Sequence, residues 1–104
     1  MNFNQYQESA RTFRATSASS QYVLLGLGEE SGEVLGKVAK HIRDGGDLSH
    51  LKHTLLKELG DVLWMVSAVA DDYGIELGDI AEHNIIKLTD RKARNVIHGS
   101  GDIR

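Results

Sequence analysis

The sequence predicts an all-α bundle of about four helices, two of them long and antiparallel, and three observations carry that prediction. Apolar residues recur at three- and four-residue spacing along most of the chain, the period of a helix with one buried face. Proline is absent, so nothing rigidly interrupts a helix. Glycine, serine and aspartate gather at a few points only, around residues 16–20, 44–47 and 74, where the periodic runs stop.

Each element follows from that punctuation. A first helix is expected over about Asn4–Arg14, with Tyr6, Ala10 and Phe13 on one side. Thr16-Ser17-Ala18-Ser19-Ser20 then offers several side chains able to cap a following helix. The second helix covers about Tyr22–Arg43, with Leu24, Leu27, Val34, Leu35, Val38 and Ile42 as its apolar stripe. Asp44-Gly45-Gly46-Asp47 closes it, placing glycine where a helix end favours a left-handed residue. The third runs from about Ser49 to Tyr73, carrying Leu51, Leu55, Leu56, Leu59, Val62, Leu63, Val66 and Val69, and Gly74 stops it. The fourth is expected over about Leu77–Arg94, with Ile80, Ile85, Ile86 and Leu88. Residues 95–104 lose periodicity and read as an extended tail on a single domain, 1–104.

Within the two long helices stand two acidic signatures, Glu30-Ser31-Gly32-Glu33 and Glu58-Leu59-Gly60-Asp61. A spacing of three residues separates side chains by roughly 60° around a helix and one turn along it, so each pair points one way. The short connection between the helices makes them antiparallel neighbours, and four carboxylates then converge. Two like charges 4 Å apart repel by about 4 kcal/mol at an effective dielectric of 20, so protons or cations must relieve the cluster. With no cysteine in the chain, a hard oxygen-seeking ion such as Mg²⁺ or Mn²⁺ suits it best. The alternative for any one pair is an ordinary solvated face. Gly32 and Gly60, each between the acids of its pair, argue against it, since mid-helix glycine costs about 1 kcal/mol and implies close approach or room for a ligand.

Composition narrows the classes further. A net charge of −3 supplies no field for duplex nucleic acid. No basic-then-apolar leader opens the chain and no apolar run reaches membrane-spanning length, so a cytoplasmic setting without membrane partners is expected. The five histidines do not form a zinc set, and no Glu-x-x-His occurs, which weighs against a di-iron bundle. At 104 residues, with 40% apolar and 6% aromatic side chains, long amphipathic helices are expected to complete their burial by oligomerising.

A cationic stripe accompanies the acids. Asn84, Lys87 and Arg91 recur at i, i+3 and i+7 on the fourth helix, which suits a ligand bearing several phosphates, or else a plain surface. Lys37, one turn past Glu33, either serves the same ligand or pairs with Glu33. Trp64 follows Asp61 by three residues and either stacks on a base or packs in the core. Tyr6 and Gln7 have the same two options, with packing favoured for Tyr6.

The paired Glu-x-x-Glu and Glu-x-x-Asp, in this order and spacing, resemble the MazG-like all-α nucleoside triphosphate pyrophosphohydrolases. Tyr6-Gln7, Leu25-Gly26-Leu27, the run from Lys57 to Trp64, the Asn84/Lys87-Leu88/Arg91 stripe and Gly99-Ser100-Gly101-Asp102 extend the likeness over nearly the whole chain. The resemblance implies hydrolysis of a nucleoside triphosphate to monophosphate and pyrophosphate, for pool control or house-cleaning, by a dimer or a dimer of dimers. It implies Glu30, Glu33, Glu58 and Asp61 as magnesium ligands and catalytic acids, and Asn84, Lys87 and Arg91 at phosphate or sugar. The water-activating base stays open among Glu29, Glu30 and Glu33. The other readings are a non-catalytic metal- or nucleotide-binding module and a helical interaction protein.

Overall fold

Side-chain caps fix where the helices begin. The computed structural model describes residues 1–104 as four α-helices without a strand: α1 (Phe3–Arg11), α2 (Ser20–Asp44), α3 (Leu48–Asp72) and α4 (Leu77–Ala93). Asn2 and Gln5 cap α1 reciprocally, each side chain bonding the other's backbone N–H at 2.8 Å. The Ser19 hydroxyl accepts from the Tyr22 N–H at the start of α2, and the Asp47 carboxylate from the Ser49 N–H at the start of α3. Gly45, at φ 71°, ends α2 and turns the chain through three residues into α3.

That short turn makes α2 and α3 an antiparallel pair, and their contact dominates the fold. Val23, early in α2, packs on Met65 and Ala68, late in α3, with Leu27, Trp64 and Val69 around them. Gly26 makes room for the Met65 side chain: a Cβ there would fall 2.7 Å from the Met65 methyl carbon, so a larger residue would displace it.

Polar side chains of α1 and the turn after it attach the remaining elements. Gln7 is 3% exposed and fully used: its amide donates to Asp71 Oδ1 and the Ile75 carbonyl and accepts from the Leu77 N–H. Asn4 Oδ1 accepts from the Gly78 N–H, so α4, whose N-cap residue Glu76 provides no side-chain cap, is capped from α1. Arg11 and Arg14 each grip an aspartate at the end of α3, Asp71 and Asp72 respectively, through paired hydrogen bonds.

The expected helices are all present, with two differences. α1 stops at Arg11 rather than Arg14, and Phe13 lies exposed beyond it, because Arg14 is drawn off to bond the Ala18 carbonyl and Asp72. Residues 95–104 are not extended: Asn95, in the left-handed region at φ 57°, ends α4 and starts a run of turns that folds back on that helix.

The protomer is open. Its radius of gyration is 16.5 Å, where about 13 Å is usual for a compact chain of this length. Only six apolar residues are buried, while Leu25, Leu35, Ile42, Leu56, Ile85 and Ile86 are all more than half exposed. α4 packs on α1 and stands clear of the α2–α3 pair. No helix is long and apolar enough to cross a membrane.

Candidate metal centre

Three of the four acids expected to converge from the two long helices are brought together. One carboxylate oxygen each from Glu30 of α2 and from Glu58 and Asp61 of α3 lie within 4.8 Å of one another. Oxygens sharing a magnesium ion at about 2.1 Å sit about 3–4 Å apart, so small side-chain rotations would bring the three onto one hard cation. The Glu30 carboxyl is held above its usual range, first by burial and then by the negative charges of Asp61, Glu29, Glu58 and Glu33. Against this stands one nearby cation, Lys37, whose Nζ is 3.9 Å from Glu58 Oε1 across the helix pair. The donor set, all oxygen and net negative, fits a divalent hard ion. Tyr6 reaches the same neighbourhood from α1: its phenol is pushed up by partial burial and then by the Asp61 charge.

The remaining candidate residues divide around this centre. Glu33, one turn beyond Glu30, is exposed and lies outside the three-carboxylate set. Lys37 pairs with Glu58 rather than with Glu33. Trp64 is half-buried and gives its indole N–H to the Ala10 carbonyl at 3.2 Å, joining α1 and α3. Gln7 is likewise structural. Nothing lies within 4 Å of a Cβ built on Gly32 or Gly60, so packing inside the protomer does not require these glycines and the space beside the acids is open.

Asn84, Lys87 and Arg91 share α4 and are not brought to the carboxylates within one protomer, because α4 leans on α1 instead. Asn84 makes no side-chain hydrogen bond, whereas Lys87 and Arg91 both face Asp102 of the terminal turns, at 3.6 and 3.5 Å. Sequence reasoning missed that partnership. Its only signal was the glycine-rich run before Asp102, which carries no helical period.

A helical hairpin that gathers three carboxylates from two antiparallel helices defines an all-α protein with a candidate divalent-cation centre. The model for the MazG nucleotide pyrophosphohydrolase domain matches residues 18–96, which span α2, α3, α4 and the acids Glu29, Glu30, Glu33, Glu58 and Asp61. The chain belongs to this family. It is also 42% identical over 85 residues to the "Gene 37 protein" of Mycobacterium phage L5, a match covering 80% of this chain and 75% of that protein. No solved structure matches the chain.

Proposed function

We propose that this protein hydrolyses a nucleoside or deoxynucleoside triphosphate to the monophosphate and pyrophosphate, using magnesium, with manganese as a working substitute. The observation that carries this reading is the convergence of Glu30, Glu58 and Asp61 on the long helix pair of a chain in this family. Glu33 completes the acidic set by rotating its exposed side chain toward the same open space. A bound cation there would acidify a water and offset charge at the α-phosphorus and the departing pyrophosphate. The chain's own residues do the rest: a carboxylate among Glu29, Glu30 and Glu33 accepts the water's proton, and Lys37 offsets charge beside Glu58. Asn84, Lys87 and Arg91 orient and neutralise the phosphate chain.

The reaction requires a second copy of the chain. Because α4 stands clear of its own α2–α3 pair, its stripe reaches an acidic cluster across a subunit interface. The uncovered leucines and isoleucines supply the contact. A homodimer or homotetramer follows, with nucleotide pool control or removal of damaged nucleotides as its service. The same apolar faces would suit a helical interaction module, and turnover separates the two.

The test is pyrophosphate release from a panel of ordinary and damaged ribo- and deoxynucleoside triphosphates, with magnesium or with chelator. Equal amounts of monophosphate and pyrophosphate, formed only with magnesium, are expected. Silence across the panel from folded, metal-binding protein would defeat the reading and leave a binding role.

A further inference from the structure

Residues 96–104 form a clasp closed by Arg104. Its guanidinium donates to the carbonyls of Val96 at 2.9 Å, Ile97 at 2.8 Å and Gly101, and its own carbonyl oxygen accepts from Arg94 at 2.6 Å. Two glycines permit this closure. A Cβ on Gly99 would fall 2.5 Å from Arg104 Cδ, and Gly101 sits at φ 81°, which side chains other than glycine rarely adopt.

The closed clasp sets Asp102 over the end of α4, where its two polar groups act differently. The backbone carbonyl of Asp102 accepts from Arg91 Nη2 at 2.8 Å, a full hydrogen bond that fixes a guanidinium otherwise almost buried, Arg91 being 5% exposed. Its carboxylate lies farther off, 3.5 Å from Arg91 and 3.6 Å from Lys87, with its side chain 88% exposed. The first contact holds. The second is long and wet, so it is weak and replaceable. Lys87, and then Arg91, keep the Asp102 carboxyl below the usual carboxylate range, so it is anionic at neutral pH and stands where an incoming anionic oxygen would stand.

We propose that this clasp makes Lys87 and Arg91 a prepared polyphosphate site. Arg104 and the Asp102 carbonyl fix the Arg91 guanidinium, while the Asp102 carboxylate holds the anion's place until the ligand displaces it. The proposal rests on the phosphate role given above to the α4 stripe. A chain of several phosphates bears more charge than one carboxylate and displaces it without opening the clasp, because the clasp is held by Arg104 and the Asp102 backbone. Arg104 is thus a positioning residue and Asp102 a tethered competitor, and their removal has opposite effects.

Calorimetric titration of the full chain with inorganic tripolyphosphate in magnesium tests this without any turnover. Wild-type protein is expected to bind in a salt-dependent manner. Arg104→Ala is expected to bind about tenfold more weakly and Asp102→Asn several-fold more tightly, with folding and oligomeric state checked by circular dichroism and light scattering. In nucleotide hydrolysis Arg104→Ala should raise KM and leave kcat within about twofold, the split expected when binding alone is lost. A merely structural clasp would lower thermal stability and leave both affinities together. Absence of tripolyphosphate binding by wild type, or equal or weaker binding by Asp102→Asn, overturns the proposal. If Arg104→Ala does not fold, the sign of the Asp102→Asn effect decides alone. The clasp can fail while hydrolysis stands, and tripolyphosphate binding can hold where no nucleotide is turned over.

Discussion

Glu30 is acted on by burial and by four neighbouring carboxylates, while Lys37 pairs with Glu58 of the same cluster at 3.9 Å. Burial and the four carboxylates all disfavour its charged form, so the cluster is costly to charge at neutral pH and a divalent ion bound there would relieve it. Asp61 is the largest charge contribution on Glu30. Asp61→Asn is therefore expected to raise the metal-free melting temperature by a few degrees and to abolish the further rise on adding magnesium. Pyrophosphate release should fall by at least about a hundredfold, the upper end of what outer-sphere partners of a metal site cost. Differential scanning fluorimetry with and without magnesium reads the first effect, and a lower metal-free melting temperature would contradict it.

At the scale of elements, α1 holds α3 and α4 together through polar contacts rather than a core. Gln7→Ala strips the Leu77 N–H and the Ile75 carbonyl of their partner in a buried junction, and about 2–3 kcal/mol of stability should go with it in chemical denaturation. A loss below about 0.5 kcal/mol would mean that water serves the junction equally well. The Arg14–Asp72 pair depends on pH with a definite sign. Hydrogen bonding to Arg14 holds the Asp72 carboxyl below its usual value against the effect of burial, so its contribution is present at neutral pH and is lost as pH falls through the folded value. Arg14→Ala should melt lower than wild type at pH 7, and the gap should narrow as pH falls below the ordinary aspartate range, leaving the part that Arg14 gains from the Ala18 carbonyl. These links were not legible in the sequence, since Gln7 and Leu77 are 70 residues apart and no periodic pattern joins them. α1, α2 and α3 were legible because local caps, Asn2, Ser19, Asp47 and Gly45, bound them within a few residues, whereas α4 starts on a cap supplied by Asn4 of α1. The acids of α2 and α3 were legible for the same reason, a three-residue spacing and a tight turn between antiparallel helices. The direction α4 takes was not, because its apolar pattern names a buried face without naming the partner that buries it.

The whole chain, with its radius of gyration of 16.5 Å, leaves a row of leucines and isoleucines uncovered, the surface that the proposed dimer or tetramer would bury. Sedimentation or light scattering is expected to give twice or four times the protomer mass. Ile85→Glu with Ile86→Glu on α4 should shift that mass downward and reduce activity together, as a site shared between copies requires; a monomer with full activity would contradict the shared site. Within each copy, Glu30, Glu58 and Asp61 place three carboxylate oxygens within 4.8 Å of one another, the proposed seat of one divalent cation. Titration of the purified protein with Mn²⁺, followed by calorimetry on wild type and Glu30→Gln, tests it most directly. Stoichiometric binding to wild type that competes with Mg²⁺ and is at least about tenfold weaker in the variant is expected. Equal affinity in the two proteins would show that the three carboxylates do not hold the metal.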